Sequence, residues 1–508
     1  MKTRRLYVCL SVVVAMLAAN PVFAADALVD AVKAGNVTEA RALLARAPDV
    51  NAAEADGTTA LHWAVRGGQA ELVRALLKAG ANVRAANRYG VTPLSLAAVN
   101  GDAALIETLL QAGADANAAL PNGETVLMTA ARTGSVGAMK ALVAKGANVH
   151  AKESRRGETA LIWAAAQGHV DAVRLLLEVG ARVDARSDET KYPLLVGPLQ
   201  RPDGRRCAGG QGLQTTCLPR GEWTPLMYAS RQGATEVVKV LAASGANLDA
   251  ADWDGSTPLL LAILNGHYDS AAALLEKGAK PNAADRYGMT PLYTAVNMNT
   301  LPRVIGRPAP RPDDALTPLD LAKALLEHGA DPNLALNAPM RHRNHAASDR
   351  SLGAGTTPFM RAAKAGDVQA MRLLVEHGAN PSLTQKNGTT ALMIAAQFKS
   401  ARNDDDGDGA AETGSSDNAL AAIKLCLEKG SDINAMNENG DTALHLAANE
   451  AVIRFLVKQG ADLEARNWGG ETALEAWDGR RDRDNRLIRP DTVAVLKQLT
   501  DEQAQRKP

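Results

Sequence analysis

A short motif returns at a nearly constant distance along the chain, and this periodicity constrains the fold more than any other feature. In the motif, leucine (phenylalanine in one copy) follows threonine by two residues, and its copies begin at Thr59, Thr92, Thr125, Thr159, Thr224, Thr257, Thr290, Thr357, Thr390, Thr442 and Thr472. Most successive steps are 33 or 34 residues, and the others are 65, 67, 52 and 30. Such a period is typical of repeat proteins, in which each unit packs on its neighbours. We therefore predict one stack of similar units, although 508 residues would otherwise suggest about three domains.

Each unit carries the signals of two short helices and a hairpin. Threonine followed by proline, as in Thr92-Pro93, is typical of a helix N-terminus. A second helix has a Leu-Leu pair, as at Leu109-Leu110, and ends at a glycine such as Gly113, which can adopt the left-handed conformation. Asp, Asn and Gly before the next threonine predict a hairpin turn.

The composition agrees with closely packed helices. Aromatic residues make up 3% of the chain although 46% of its residues are apolar, so Ala, Leu and Val supply most of the core. The 56 basic and 56 acidic residues balance, which argues against nucleic acid as a partner.

These units resemble the ankyrin repeat, whose pattern is Gly-x-Thr-Pro-Leu-His, then Leu-Leu, then Gly-Ala-Asp-x-Asn over 33 residues. The resemblance implies an all-α solenoid of about twelve helix-turn-helix repeats, joined by β-hairpin loops and spanning residues 25–500. The unit at 26–56 lacks the threonine motif and is expected to cap the N-terminal end. Residues 501–508 are expected to form a disordered tail.

Residues 1–24 have the three parts of a secretory signal peptide. A basic start (Lys2, Arg4 and Arg5) precedes an uncharged run from Leu6 to Ala19, and a small-residue cleavage site ends at Ala24. We therefore expect an exported protein of bacterial type, periplasmic or secreted, without a transmembrane segment in the mature chain. The apolar run favours general secretion, while the arginine pair leaves twin-arginine export open.

Four insertions interrupt the period, near residues 187–221, 299–316, 336–354 and 399–417. In repeat proteins such insertions map to loops that often supply specificity. The alternative is that they are tolerated surface loops, because lengthening a loop has a small entropic cost.

The first insertion contains Cys207 and Cys217, which in an exported protein predict a disulfide that closes a loop. A redox-active pair is the alternative, but the Cys-x-x-Cys spacing is missing. A third cysteine, Cys426, falls in a Leu-Leu position and is expected to be a buried thiol.

The last insertion carries alternate aspartates, Asp404, Asp406 and Asp408, followed by Gly409. This is the first half of a calcium loop, so Ca²⁺ is the one cofactor that the sequence suggests. The closing acid would fall at residue 415, which is Ser415, and the alternative is a solvated acidic loop.

No catalytic motif is present, so we predict a non-enzymatic protein that binds protein partners as a monomer. By the resemblance, hairpin tips and first helices line the binding face. The predicted tip residues are Arg88, Tyr89, Arg155, Arg156, Trp253, Asp254, Arg286, Tyr287, Asn437, Glu438, Asn467 and Trp468. Tyr, Trp and Arg dominate the energetics of interfaces; the alternative is that these rings pack against the neighbouring hairpin.

Two tryptophans within first helices, Trp63 and Trp163, are expected in the core. An alternative function is an exported calcium-binding accessory factor that uses the acidic insertion at 403–417. A third possibility, an enzyme assembled across the insertions, would need ionisable groups from 187–221 and 336–354 to cluster.

Overall fold

The computed structural model describes residues 21–46, 49–189, 221–300, 314–338, 352–397, 416–447, 449–480 and 489–506. These residues form 24 α-helices in twelve consecutive pairs, and no extended strand occurs among them. Helices are numbered α1 to α24 along the chain, so odd numbers are the first helices of the pairs and even numbers are the second. The predicted all-α repeat fold with about twelve repeats is confirmed.

The helices belong to two compact units. The first unit, which ends at Asn247, has six pairs: α1 Pro21–Lys33 and α2 Val37–Leu44, α3 Ala60–Arg66 and α4 Ala70–Lys78, α5 Pro93–Val99 and α6 Ala103–Gln111, α7 Val126–Thr133 and α8 Val136–Ala144, α9 Ala160–Gln167 and α10 Val170–Glu178, α11 Pro225–Gln232 and α12 Thr235–Ala243.

The described part of the second unit begins at Leu248 and also has six pairs: α13 Pro258–Leu264 and α14 Tyr268–Glu276, α15 Pro291–Thr300 and α16 Pro318–Glu327, α17 Pro358–Ala365 and α18 Val368–Glu376, α19 Ala391–Ala396 and α20 Ser416–Glu428, α21 Ala443–Leu446 and α22 Glu450–Lys458, α23 Ala473–Asp478 and α24 Pro490–Arg506.

The repeated threonine starts the first helix of each unit. Every motif threonine directly precedes an odd-numbered helix. At α5, the Thr92 hydroxyl accepts a hydrogen bond of 3.2 Å from the Ser95 backbone N–H, and the Ser95 hydroxyl lies 2.9 Å from the Thr92 N–H as its acceptor. This exchange satisfies backbone donors that a helix start otherwise leaves without partners.

Small residues let neighbouring repeats approach closely. Successive first helices pack side by side within the first unit, from α3 to α11. In α5, Leu94, Ala97 and Ala98 are almost completely buried. The turn at Gly134 has φ of +71°, and a Cβ there would lie 2.7 Å from the Nδ1 atom of His169 in the next repeat. A side chain at this position would therefore be strained and would also separate the two repeats.

Asparagine side chains join each second-helix turn to the next one. The Asn333 Nδ2 atom donates to the Gly378 carbonyl at 3.0 Å, and its Oδ1 atom accepts from the Asn380 N–H at 2.7 Å. The same pair of bonds recurs at Asn51, Asn117, Asn282 and Asn434. The asparagine of the repeat pattern thus makes contacts between units, which explains why an amide with a donor and an acceptor recurs there.

The shortest step, 30 residues, has a local cause. Helix α21 is a single turn, Ala443–Leu446, and Asn449 caps α22 three residues later by accepting from the Ala451 and Val452 N–H groups. This repeat therefore loses the end of its first helix and keeps its cap and its second helix.

The prediction of a disordered tail at 501–508 is wrong for the part of the tail that is described. Helix α24 continues through Arg506, because Asp501, Glu502, Gln503, Ala504 and Gln505 include good helix formers and contain no breaker. At the other end, α1 begins at Pro21, inside the predicted leader, and residues 1–20 lie outside the described residues.

Most residues of the four predicted insertions also lie outside the described residues, at 190–220, 301–313, 339–351 and 398–415. Their flanks are described: Thr317 caps α16 and exchanges hydrogen bonds with Asp320, so the second helix after the 299–316 insertion begins with the signal of a first helix.

We predict that Asn333→Ala lowers the free energy of unfolding by about 1 kcal/mol, because two hydrogen bonds between repeats are lost. Chemical denaturation followed by circular dichroism measures the change. The control is Asn439→Ala, since the exposed Asn439 side chain makes no hydrogen bond with a described residue. An equal effect of the two substitutions would contradict a bridging role for Asn333.

Candidate partner-binding surfaces

One side chain shapes each hairpin tip. The Asn87 Oδ1 atom accepts from the backbone N–H groups of Tyr89 and Val91, both at 3.0 Å. Asn437 and Asn467 do the same for the N–H groups two and four residues later, at 2.9 to 3.0 Å. Asn and Asp favour such turns because their side chains bond to the backbone just ahead. The tip residues therefore have a defined position.

A backbone hydrogen bond also joins successive tips. The Arg88 N–H donates to the Asp56 carbonyl at 2.8 Å in the first unit. In the second unit, the Arg286 N–H donates to Asp254 and the Trp468 N–H donates to Asn439, each at 2.9 Å. The predicted tip residues thus occupy equivalent places on a connected row within each unit.

Two predicted tip aromatics face solvent. The Tyr89 side chain is 55% exposed and Trp468 is 72% exposed. The Arg88 guanidinium lies 4.8 Å from the centre of the Tyr89 ring, within cation–π range. The fold buries little of the area of these rings, so a partner can bury the rest of it on binding.

Two other tip aromatics are held by one arginine. The Arg286 guanidinium lies 4.4 Å from the Trp253 ring centre and 4.9 Å from that of Tyr287. Its Nε atom is 2.9 Å from the Asp254 carboxylate. Trp253 and Tyr287 are half-buried and Asp254 is buried, so the alternative of packing against the neighbouring hairpin describes this part of the row.

A buried carboxylate supports the tip at Arg155 and Arg156. Glu153 accepts hydrogen bonds from the backbone N–H groups of both arginines, at 2.6 and 2.5 Å. Both arginine side chains are exposed. Glu153 therefore replaces the asparagine of other tips, and it leaves two cations at the surface.

The prediction that Trp63 and Trp163 lie in the core is wrong. Both are half-buried, each on the fifth residue counted from its capping threonine, and each has a cation over its ring. Lys33 and Arg66 lie 4.5 and 5.2 Å from the Trp63 ring centre, and Arg132 lies 5.3 Å from that of Trp163. A half-buried ring is adequate here because alanine and leucine already fill the space between first helices.

In the last repeat of the first unit a cation also lies near a tryptophan, but this ring precedes the capping threonine, and Tyr228 is the fifth residue. Trp223 is buried and meets Tyr228 edge-to-face at 5.3 Å, with Arg231 at 5.4 Å from the Trp223 ring centre. The Tyr228 hydroxyl donates to Glu158 at 2.7 Å. Burial, and then the Glu158 charge, raise the pKa of Tyr228, which keeps the hydroxyl protonated as a donor.

Some predicted site residues cannot be placed. Cys207, Cys217, Asp404, Asp406 and Asp408 all lie outside the described residues, so the disulfide and the calcium site stay predictions. Among the described residues, no group of three or more His, Cys, Asp or Glu side chains could hold a metal ion.

Cys426 is a free, buried thiol, as predicted. Burial raises its pKa to about 12, which leaves little thiolate at neutral pH. The side chain therefore serves packing in α20.

Comparison with known proteins agrees with the geometry. A family model described as ankyrin repeats (3 copies) matches residues 28–119, 94–187, 207–285, 254–336, 315–403 and 410–477. The chain therefore belongs to the ankyrin repeat family. Ankyrin repeats are in general protein–protein interaction modules and are typically not catalytic.

Among solved structures, the human ASB11 ankyrin repeat domain is 28% identical to this chain, with a TM-score of 0.39. The match covers 50% of this chain and 98% of that chain. Separately, no helix in the described part of the chain has both the length and the apolar character needed to cross a membrane.

Sequence reasoning missed the pairing of first-helix rings with cations. Arg66 and Arg132 are each the eighth residue counted from the capping threonine of their helix. Trp63 and Trp163 are each the fifth residue, so each ring lies three residues before the eighth position of its own helix. That spacing places a ring and a cation on one helix face, a signal that was readable for Trp63 and Arg66. The contact of Arg132 with Trp163 crosses repeats, so the sequence does not indicate it.

We predict that Asp285→Asn stabilises the second unit at pH 8 by about 1–2 kcal/mol and has little effect near pH 4. Burial raises the pKa of Asp285 from its usual 3.8 to about 6, so the folded state binds the proton more tightly than the unfolded state. The stability of the wild type that depends on this proton is present below about pH 4 and is lost as the pH rises through about 6.

Asparagine keeps the acceptor for the Tyr287 and Met289 N–H groups and carries no charge. Thermal melts of the wild type and of the variant at pH 4, 6 and 8 measure the effect. A gain that does not grow with pH would contradict the burial of an ionised carboxylate at Asp285.

Proposed function

We propose that this protein is a non-catalytic scaffold that binds protein partners through its hairpin tips and first-helix faces, with the insertions adding specificity. The observation that carries the proposal is the exposure of Tyr89 and Trp468 at hairpin tips that the backbone holds in place. Large rings on ordered backbone bury apolar area on binding at low entropic cost.

The exposed cations beside these rings add directional contacts. The Arg88 side chain lies over the Tyr89 ring and is itself exposed. The Arg155 and Arg156 side chains are exposed at another tip of the first unit. Arginine and aromatic residues together are enriched at the centres of protein interfaces. These features support a partner that contacts several tips at once.

We further propose that the protein acts outside the cytoplasm, in the periplasm or after secretion. The support is the leader at residues 1–24, with its basic start and apolar run, and the cysteine pair at Cys207 and Cys217.

Site-specific photo-crosslinking tests the scaffold proposal in native cells. With a benzoyl-phenylalanine in place of Tyr89 or Trp468, we expect discrete crosslinked products, because these side chains would be buried by the partner. Exposed second-helix positions, Gln111 and Lys458, are the matched controls. Absence of product at both tips, or the same products at the controls, would remove the proposal.

Mass spectrometry of the protein from native cells tests export. We expect a mature N-terminus at Ala25, recovery from the periplasm or medium, and a peptide linked through Cys207 and Cys217 that separates on reduction. A cytoplasmic protein that retains Met1 and two free thiols at these positions would contradict both parts.

A further inference from the structure

One helical position forms a row of alternating character across the first unit. It is the eighth residue counted from each capping threonine, and it holds Arg66, Val99, Arg132, Ala166 and Arg231 in α3, α5, α7, α9 and α11. Successive first helices pack side by side, so these residues lie on one face in this order. We call them the Arg–Val row.

The three arginines of the row are exposed and rest on aromatic rings. Arg66 lies over Trp63, Arg132 over Trp163 and Arg231 over Trp223, at 5.2, 5.3 and 5.4 Å from the ring centres. A guanidinium within cation–π range of a ring can still donate from its N–H groups to an acceptor. The rings therefore hold the three cations in place and leave their donors available.

The row is poorly neutralised by the protein. Arg66 and Arg231 form no ion pair with a described residue, and Arg132 has a long contact of 3.6 Å with Glu124. The Glu124 side chain is 14% exposed and also accepts from Thr129, so it lies below the surface that a partner meets.

Between the cations the row is apolar. The Val99 side chain is 55% exposed at the end of α5, and Ala166 is half-buried in α9. An exposed valine gains nothing from the fold at this position, but it would gain from an apolar side chain of a bound chain.

The second unit differs at this position. Its residues at this position are Leu264, Asn297 and Lys364 in α13, α15 and α17, followed by Gln397, Asn449 and Gly479, which lie just after α19, α21 and α23. Leu264 and Asn297 are buried, and none of the six is an arginine. The alternation of arginine with apolar residues at this position is therefore a property of the first unit, although Arg480, one position further along the last repeat of the second unit, also lies over a ring, 3.8 Å from the centre of Trp477.

We propose that the Arg–Val row binds an extended acidic segment of the partner protein, with carboxylates on the arginines and apolar side chains between them. This inference rests on the proposed scaffold function and names the chemistry of its partner. Packed helices lie about 8–10 Å apart, so arginines in alternate repeats are about 16–20 Å apart. An extended chain rises about 3.3 Å per residue, so this distance spans about five or six residues, and a spacing of six keeps the acidic side chains on one face because successive side chains alternate.

Fluorescence anisotropy with a synthetic peptide tests the spacing and the charge. The probe is an extended peptide of about 15 residues with glutamates six apart and valines two and four residues after each glutamate, so that all of these side chains point to one face, and the control peptide carries glutamine in place of glutamate. With the full chain, we expect binding of the glutamate peptide that weakens as salt rises, because the contacts are exposed ion pairs. Equal binding of the two peptides, or none of the glutamate peptide at millimolar concentration, would overturn the inference.

Variants locate the site. The triple substitution Arg66→Gln, Arg132→Gln and Arg231→Gln should weaken binding of the glutamate peptide by about tenfold or more. The control removes three exposed cations from second helices of the same unit, Arg74→Gln, Lys140→Gln and Arg174→Gln, and should leave binding within about twofold. Circular dichroism melts establish that both variants fold. An equal loss of peptide binding in the two variants would show that only the net charge matters, and would overturn the Arg–Val row as the binding site.

The scaffold proposal and this inference fail separately. Loss of the crosslinked products at Tyr89 and Trp468 removes the scaffold proposal. If those products persist in native cells while the triple variant still binds the glutamate peptide as the wild type does, only the acidic-segment inference is removed.

Discussion

Each helix pair in this protein is too short to bury its own apolar face, and contact between adjacent repeats within a unit is what allows either helix to form. Alanines such as Ala97 and Ala98 let successive first helices pack closely. Asparagines such as Asn333 bond one second-helix turn to the next, and backbone bonds join successive hairpin tips. Stability in such a stack is close to a sum over neighbouring repeats. A defect therefore acts locally, and no single core position determines the whole.

The same constraint explains how much of the fold could be predicted. The threonine caps, the glycine turns and the Leu-Leu pairs act within one unit, so their sequence spacing gives the helix boundaries directly. The single-turn helix α21 and the helical end of α24 were less readable. Helix α21 is short because the Asn449 cap of the next helix follows it within three residues. Helix α24 continues through a polar sequence because that sequence contains no helix breaker.

The candidate site was harder to predict, because burial at a tip depends on the neighbouring hairpin. Tyr89 and Tyr287 both follow an arginine and precede a glycine, and their sequences alone do not distinguish them. Arg286 lies between the Tyr287 ring and the ring of Trp253, which belongs to the preceding hairpin, and Tyr287 is half-buried. Tyr89 has only its own Arg88 as a described ring partner and stays exposed. Contacts between hairpins thus select which of the predicted tip residues are available for binding.

Positions that the stack does not need are free to carry function, and the two units use them differently. In the first four repeats of the second unit the fifth residue from the capping threonine is Leu261, Thr294, Arg361 and Ile394, and all four are buried, while Leu446 in the next repeat is half-buried. The buried Arg361 donates from Nε to Asn297 at 2.7 Å, so even a charge there serves an internal network. In the first unit the equivalent Trp63 and Trp163 stay half-buried under cations. Because the repeat permits both outcomes, a half-buried ring beneath a cation in the first unit is not required by the fold, and the position is available for the proposed binding.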